Sequence, residues 1–292
     1  MIAIFREKLL HLIHCRTLTH RSLKKLLTYD PRLTHLYSYS IDTFQQILQL
    51  EPPKIKAFLN EFQSLKIKAL LKLYETKGIS IIHLEDQEYP SILKEIHDPP
   101  FVLFTIGNKQ LLQKNMFAVV GARDANLYAK ETLDLLIPPL IKRGFVIVSG
   151  LAKGTDTLAH ARTIEHGGKT IAVLGGGFFH LYPRENLRLA NEMKQDHLLV
   201  SEYPPIQKPE KWHFPMRNRI ISGLAKGTLV VQAKSRSGSL ITADFALESG
   251  REVFAVPGPI HHPLSAGTNH LIQQGAKLVL NAQDILDEII VD

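Results

Sequence analysis

Between Arg6 and Gly78 the apolar residues recur every three to four positions. "REKLLHLIHC", "RSLKKLLTY", "DTFQQILQL" and the longer "PPKIKAFLNEFQSLKIKALLKLYETKG" each gather Leu, Ile and Phe on one face of a helix. Asp42 reads as an N-cap, Pro52 and Pro53 as a helix start and Gly78 as a helix stop. Residues 1–77 are therefore expected to form a small all-helical N-terminal domain. From residue 79 the period changes. Short β-rich runs follow one another: "ISIIHL", "FVLFTIG", "FAVVG", "FVIVSG", "TIAVLGGG", "LLVSEY", "TLVVQA", "EVFAVPG" and "KLVLN". From Phe117 on, most are followed by about a dozen residues of helical pattern, the rhythm of a parallel sheet covered on both faces. The expected fold is α/β: an extended Rossmann-like parallel sheet over residues 78–292, preceded by the helical domain.

Composition narrows the class. A 292-residue chain with 45% hydrophobic and 22% charged residues is ordinary for a soluble globular protein. Cys15, the single cysteine, rules out an internal disulfide and suits a reducing compartment. Arg6, Glu7 and Lys8 interrupt the N-terminal apolar run, which breaks a signal-peptide core, and no apolar stretch approaches the length of a membrane span. A cytoplasmic protein is expected. The net charge of +7 lies entirely in residues 1–77, with 13 Lys/Arg against 6 Asp/Glu, so the larger domain is neutral overall. Within it, residues 207–236 carry Lys208, Lys211, Arg217, Arg219, Lys226, Lys234 and Arg236 against Glu210 alone. A local basic strip on a neutral domain points to a polyanion more sharply than net charge does.

The candidate chemistry sits where strands end. In an open α/β sheet, ligands bind at the carboxyl ends of strands, beside helix N-termini. Here those places hold Gly121–Arg123, "SGLAKGTD" (149–156), "GGG" (175–177) and "SRSGSLITA" (235–243). One such turn is only a tight turn. Four at one sheet edge, with Arg123 and Lys153, favour an anion site. The turn "GARDAN" lacks the glycines of a dinucleotide fingerprint, and "GLAKGT" puts its Lys before the second Gly, so neither NAD nor a P-loop nucleotide is expected. Asp156 and His160 lie four apart on a helix, a spacing that suits an acid–base pair but suits a helix N-terminal Asp with a packed His better. The His pairs 160/166 and 261/262 lack further ligands at metal spacing. No cofactor and no metal are expected.

The richest stretch is "KPEKWHFPMRNRIISGL" (208–224), where Lys211, Arg217 and Arg219 alternate with Trp212, His213 and Phe214. Cations beside exposed rings are how proteins hold single strands: charge follows the backbone while a ring stacks on a base. Trp212 and Phe214 read equally well as packing residues. Asn218, ahead of an apolar helix, reads equally well as a capping device.

"YPSILKEIHDPPFVLFTIG", "FAVVGARDANLY", "VIVSGLAKGTDTLAH", "GGKTIAVLGGGFFHLYP", "LLVSEYPP", "FPMRNRIISGL", "SGSLITADFALESGREVFAVPGPI" and "SAGTNHLIQQGAKLV" together resemble, in order, the motif series of the DNA-processing protein A family (DprA/Smf), over roughly Tyr89 to Val279. The N-terminal helices resemble that family's sterile-alpha-motif-like domain. The resemblance implies a Rossmann-like domain that binds single-stranded DNA without catalysing a reaction. It also implies protection of incoming strands during natural transformation, loading of a RecA-type recombinase, and a homodimer. By motif, Arg123 matches a phosphate contact, and Lys211 and Phe214 match a basic residue and a base-stacking ring. Arg217 and Arg219 match motif arginines, while Ser149, Gly150, Ser237 and Gly238 match loops around the same pocket. With Lys153 and Asn218 these residues make up the expected DNA-binding set.

Three positions depart from the family pattern: Asp124 replaces a cation or neutral residue, Thr155 the usual Ile, and Gln232 a common Glu. The 292 residues end at "ILDEIIVD", so the winged-helix-like domain that many members carry is not expected within them. The competing expectation is a nucleotide-processing enzyme of a related Rossmann-like family, hydrolysing nucleoside monophosphates. The turn "GGGFFHLYP" lacks the carboxylate such an enzyme needs.

Overall fold

The structure is a computed structural model that describes residues 2–289. The chain falls into two compact units, Met1–Ile79 and Ser80–Asp292. In the first, α1 (Ile2–Ile13), α2 (His20–Tyr29), α3 (Ile41–Leu48), α4 (Pro52–Ser64) and α5 (Ile67–Thr76) follow the apolar period. Leu12, Leu26, Leu36, Phe44 and Phe58 are buried in this unit, with the Phe44 and Phe58 rings 5.1 Å apart. Thr19 caps α2 by accepting from the Ser22 amide, and Pro52 opens α4, where a missing N–H costs nothing. The N-cap of α3 is Ser40, which accepts from the Thr43 amide; Asp42 lies in the first turn instead, where its charge faces the helix dipole. Gly78, at φ +66°, turns the chain out of α5.

The second unit is built on nine strands among the described residues. They are β1 (Ser80–His83), β2 (Val102–Gly107), β3 (Met116–Val120), β4 (Val146–Ser149), β5 (Thr170–Leu174), β6 (Leu198–Ser201), β7 (Gly227–Val230), β8 (Glu252–Ala255) and β9 (Lys277–Leu278). Every β-rich run of the sequence overlaps one. Their order is β1-β2-β6-β5-β4-β3-β7-β8-β9. The seven strands from β6 to β9 are parallel. β1 and β2 run antiparallel at one edge. The sheet is thus mixed rather than wholly parallel.

The helices of this unit are α6 (Ser91–Lys94), α7 (Leu127–Lys142), α8 (Thr155–Glu165), α9 (Leu187–Asp196), α10 (His213–Gly223), α11 (Gly238–Glu248), α12 (Ala266–Gln273) and α13 (Gln283–Leu286). Alternation along β3 shows why both faces are covered. Met116, Ala118 and Val120 pack with Leu93, Ile220, Ile221, Ala243 and Leu271, while Phe117 and Val119 pack with Leu133, Leu136, Ile137, Ala159 and Ile285. Among the described residues no helix is long and apolar enough to cross a membrane.

Chain order positions the site. From β3 the chain steps outward through β4 and β5 to β6, then returns to the other side of β3 as β7 and continues to β9. Loops leaving β3 and β7 diverge at that reversal, which opens a crevice at the carboxyl edge.

Candidate nucleic-acid interface

A pocket of about 390 Å³ occupies that crevice. The turn after β3 supplies Gly121 to Asp124, the turn after β4 supplies Ala152 and Asp156, and the turn after β7 supplies Lys234 and Arg236 to Ser239. Phe214, Arg217, Asn218 and Ile221 of α10 form another wall, with Pro215 beside them and Ile241 and Thr242 of α11 also lining the pocket. Phe214, Arg217, Asn218 and Ile221 fall at positions i, i+3, i+4 and i+7, one stripe of the helix. The stripe exists because α10 starts at His213, earlier than the apolar run suggests. Pro215 stands in the first turn, where its missing donor is tolerated. Asn218 is therefore in mid-helix and is no cap: its Oδ1 accepts from Arg217 Nε (3.2 Å) and its Nδ2 donates to the Gly238 carbonyl (3.1 Å), tying α10 to the start of α11.

The expected residues divide in two groups. Arg123, Phe214, Arg217, Asn218, Ser237 and Gly238 line the pocket. Ser149, Gly150, Lys153, Lys211 and Arg219 do not. Ser149 is fully buried, its hydroxyl donating to the Val119 carbonyl (2.6 Å). Gly150 is a wall component: its N–H donates to Asp156 Oδ2 (3.1 Å), and its carbonyl accepts from Arg217 Nη1 (2.5 Å). Lys153 is exposed and donates to Glu185, whose carboxylate holds the ammonium above its ordinary pKa. Lys211 is exposed in the segment before α10. Arg219 is buried and donates through Nη2 to both oxygens of Glu202 (2.6 and 2.7 Å), so it braces α10 against the chain after β6.

Arg217 is the floor. Its guanidinium is buried and also donates to the Val173 carbonyl; burial pushes its pKa down to about 10 against the pull of Asp156, so it stays cationic at neutral pH. Asp156 accepts from the Gly150 and Ala152 amides beside it, and burial raises its pKa from the ordinary carboxylate value. At the rim Asp124 accepts from Lys234, and that bond lowers its pKa. The departure at Asp124 is thereby offset locally. Both pocket carboxylates are engaged, whereas Arg123 and Arg236 are exposed and pair with no carboxylate among the described residues. The surplus at the rim is positive.

The turn after β5 differs from the expected anion-binding turn. A Cβ on Gly175 would meet the Phe214 ring at 2.9 Å, and one on Gly177 would meet the Pro204 carbonyl at 2.2 Å. These glycines seat Phe214 and the 204–209 segment, and the Gly177 amide is used by the Gln207 carbonyl (2.8 Å). Phe214 is half-buried, with its ring 5.7 Å from that of Tyr182. Trp212, by contrast, is exposed and its indole N–H donates to Glu210 (2.7 Å). Lys234 and Arg236 were visible in the basic strip but stood outside the expected site set; only the sheet order brings them beside Arg123.

Similarity to known proteins fits this geometry. The family described as DNA recombination-mediator protein A matches residues 80–290. The DNA processing protein DprA of Bacillus subtilis is 50% identical over 239 residues, 81% of this chain and 80% of that one. The crystal structure of DNA processing protein A from Streptococcus pneumoniae superposes with a TM-score of 0.85 at 40% identity, covering 98% of this chain and 99% of that one. A structure of DNA processing protein A from Helicobacter pylori, described for its single-stranded DNA binding mode, gives a TM-score of 0.65 at 30% identity over 72% of this chain and 95% of that one. The chain belongs to the DNA recombination-mediator protein A family.

Proposed function

We propose that this chain is a single-stranded-DNA-binding recombination mediator that acts without catalysing a reaction. It protects incoming strands and helps to load a RecA-type recombinase during natural transformation, as a cytoplasmic homodimer. The observation that carries the reading is the pocket at the β3–β7 reversal, where exposed Arg123 and Arg236, the cationic floor of Arg217 and the Phe214 ring converge. Phosphates sit on the rim cations and at the start of α11, and a base stacks on Phe214, which gives affinity with little sequence preference. The helical unit, expected to be sterile-alpha-motif-like, brings its excess positive charge to the encounter with a polyanion.

The test is anisotropy of a fluorescent oligo-dT across a salt series, for the wild type and for Arg123→Ala and Lys211→Ala. Single strands should bind well above duplex, with the logarithm of affinity falling by about 0.7 per phosphate contact for each tenfold rise in salt. Arg123→Ala should lower that slope by about one contact. Lys211 stands outside the pocket and should show a smaller change. Equal affinity for single and double strands, or an unchanged slope in Arg123→Ala, refutes the pocket as the DNA site.

A further inference from the structure

The pocket does not account for the exposed ring of Tyr182, on the loop between β5 and α9. Tyr182 is 56% exposed, although the loop that carries it is held firmly. The Phe179 amide donates to the Pro205 carbonyl (3.0 Å), and buried Asn186 donates to the Leu151 carbonyl and to Thr157 Oγ1 (both 2.8 Å). The ring faces Phe214 at 5.7 Å with the planes 57° apart. Both rings line one cleft with Gly175, Gly176, His180 and Pro209. That cleft holds only about 10 Å³, room for about one water, so a base cannot insert between the rings. With so little room between the rings, the exposure of Tyr182 lies outside that cleft. Lys153 donates to Glu185, three residues after Tyr182 on the same loop, which puts a cation on this side of the sheet edge.

Building on the function proposed above, we propose that Tyr182 is a second base-stacking residue, placed one step beyond Phe214. The strand then leaves the β3–β7 pocket toward the β5 end of the sheet, with its backbone passing Lys153. From β7 to β5 the path crosses three strand spacings, about 14 Å, or about four nucleotides in stacked geometry. Two rings fixed on different elements, Phe214 on α10 and Tyr182 on the loop after β5, select a flexible single strand over a duplex, whose bases are already stacked on each other.

The experiment compares dT12 with a 12-mer of abasic deoxyribose phosphate, binding each to full-length wild type, Tyr182→Ala, Tyr182→Phe and Arg123→Ala. Tyr182→Ala should bind dT12 about tenfold more weakly with an unchanged salt slope, and Tyr182→Phe should match the wild type. The abasic strand should bind wild type and Tyr182→Ala alike, while Arg123→Ala weakens both ligands. Unchanged dT12 binding by Tyr182→Ala, or an equal loss on the abasic strand, overturns the assignment of Tyr182 alone. Failure of the wild type to bind dT12 overturns the proposed pocket function as well.

Discussion

His160 makes the second unit acid-sensitive by an amount that can be worked out. It is fully buried in α8, one turn after Asp156. The Thr170 hydroxyl donates to the Ile147 carbonyl (2.7 Å), so His160 Nδ1 must be the donor to Thr170 Oγ1 (2.7 Å), and Nε2 is left unprotonated. Burial, with His197 and Arg217 nearby, pushes its pKa down to about 3. The folded-state value therefore lies below the unfolded value of about 6.5, so the unfolded chain gains a proton that the folded chain refuses. The stability is complete above about pH 7 and is lost as pH falls from 6.5 toward 3. Between pH 7 and 5 the loss from this one group is about 2 kcal/mol, because the unfolded imidazole becomes almost fully charged while the folded one does not. The assay is urea unfolding at both pH values, read by the fluorescence of Trp212, the single tryptophan, which lies in the same unit. His160→Asn keeps an amide donor for Thr170 and removes the titration. Wild type should lose about 2 kcal/mol more than His160→Asn on acidification. If both lose the same amount, His160 is not held neutral by burial and the reasoning fails.

Two further predictions follow from side chains that hold the pocket together. A Cβ on Gly150 would lie 2.6 Å from the Arg217 guanidinium, so Gly150→Ala should expel that group from its bonds to the Gly150 and Val173 carbonyls. The expected outcome is a loss of about 1–3 kcal/mol in chemical denaturation together with weaker oligo-dT binding. Arg219→Ala strands the Glu202 carboxylate and should cost about 3–5 kcal/mol in the same assay. Molecules of that variant that remain folded should bind oligo-dT as the wild type does, since Arg219 lies outside the pocket; a selective loss of binding without loss of stability would place it in the interface after all.

Much of the architecture was legible because it rests on short-range periodicity. Each β-rich run of the sequence overlaps a strand. The directions of the charges in "RNR" were not legible without the helix start. On a helix, residues two apart point about 200° away from each other. Once α10 begins at His213, Arg217 joins Phe214 and Ile221 on the pocket stripe and Arg219 must turn to Glu202. Lys153 and Ser149 lie outside the pocket for a related reason: a turn motif names donors but not their partners, and Glu185 and the Val119 carbonyl come from elsewhere in the chain. Antiparallel β1 and β2 left no distinct signal, since a buried edge pair reads as the same apolar run.

The glycine-rich turns also act differently from what their composition suggests, and this bears on where phosphate can bind. Gly154, at φ +75°, lies so close to the turn after β3 that a Cβ would meet the Ala122 and Arg123 carbonyls at 2.4 and 2.5 Å. Thr155 donates to the Ala122 carbonyl through its amide (3.1 Å) and its hydroxyl (3.2 Å). The Gly150 amide is taken by Asp156, and the Gly177 amide by Gln207. These amides clamp one loop to the next and are not free for an anion. What the pocket leaves exposed for an anion is Arg123 on the clamped turn after β3, Arg236 on the turn after β7, and the start of α11 at Gly238, where a Cβ would meet nothing within 4 Å. A frame of closely packed glycines carrying exposed cations suits a strand whose bases vary and whose backbone does not.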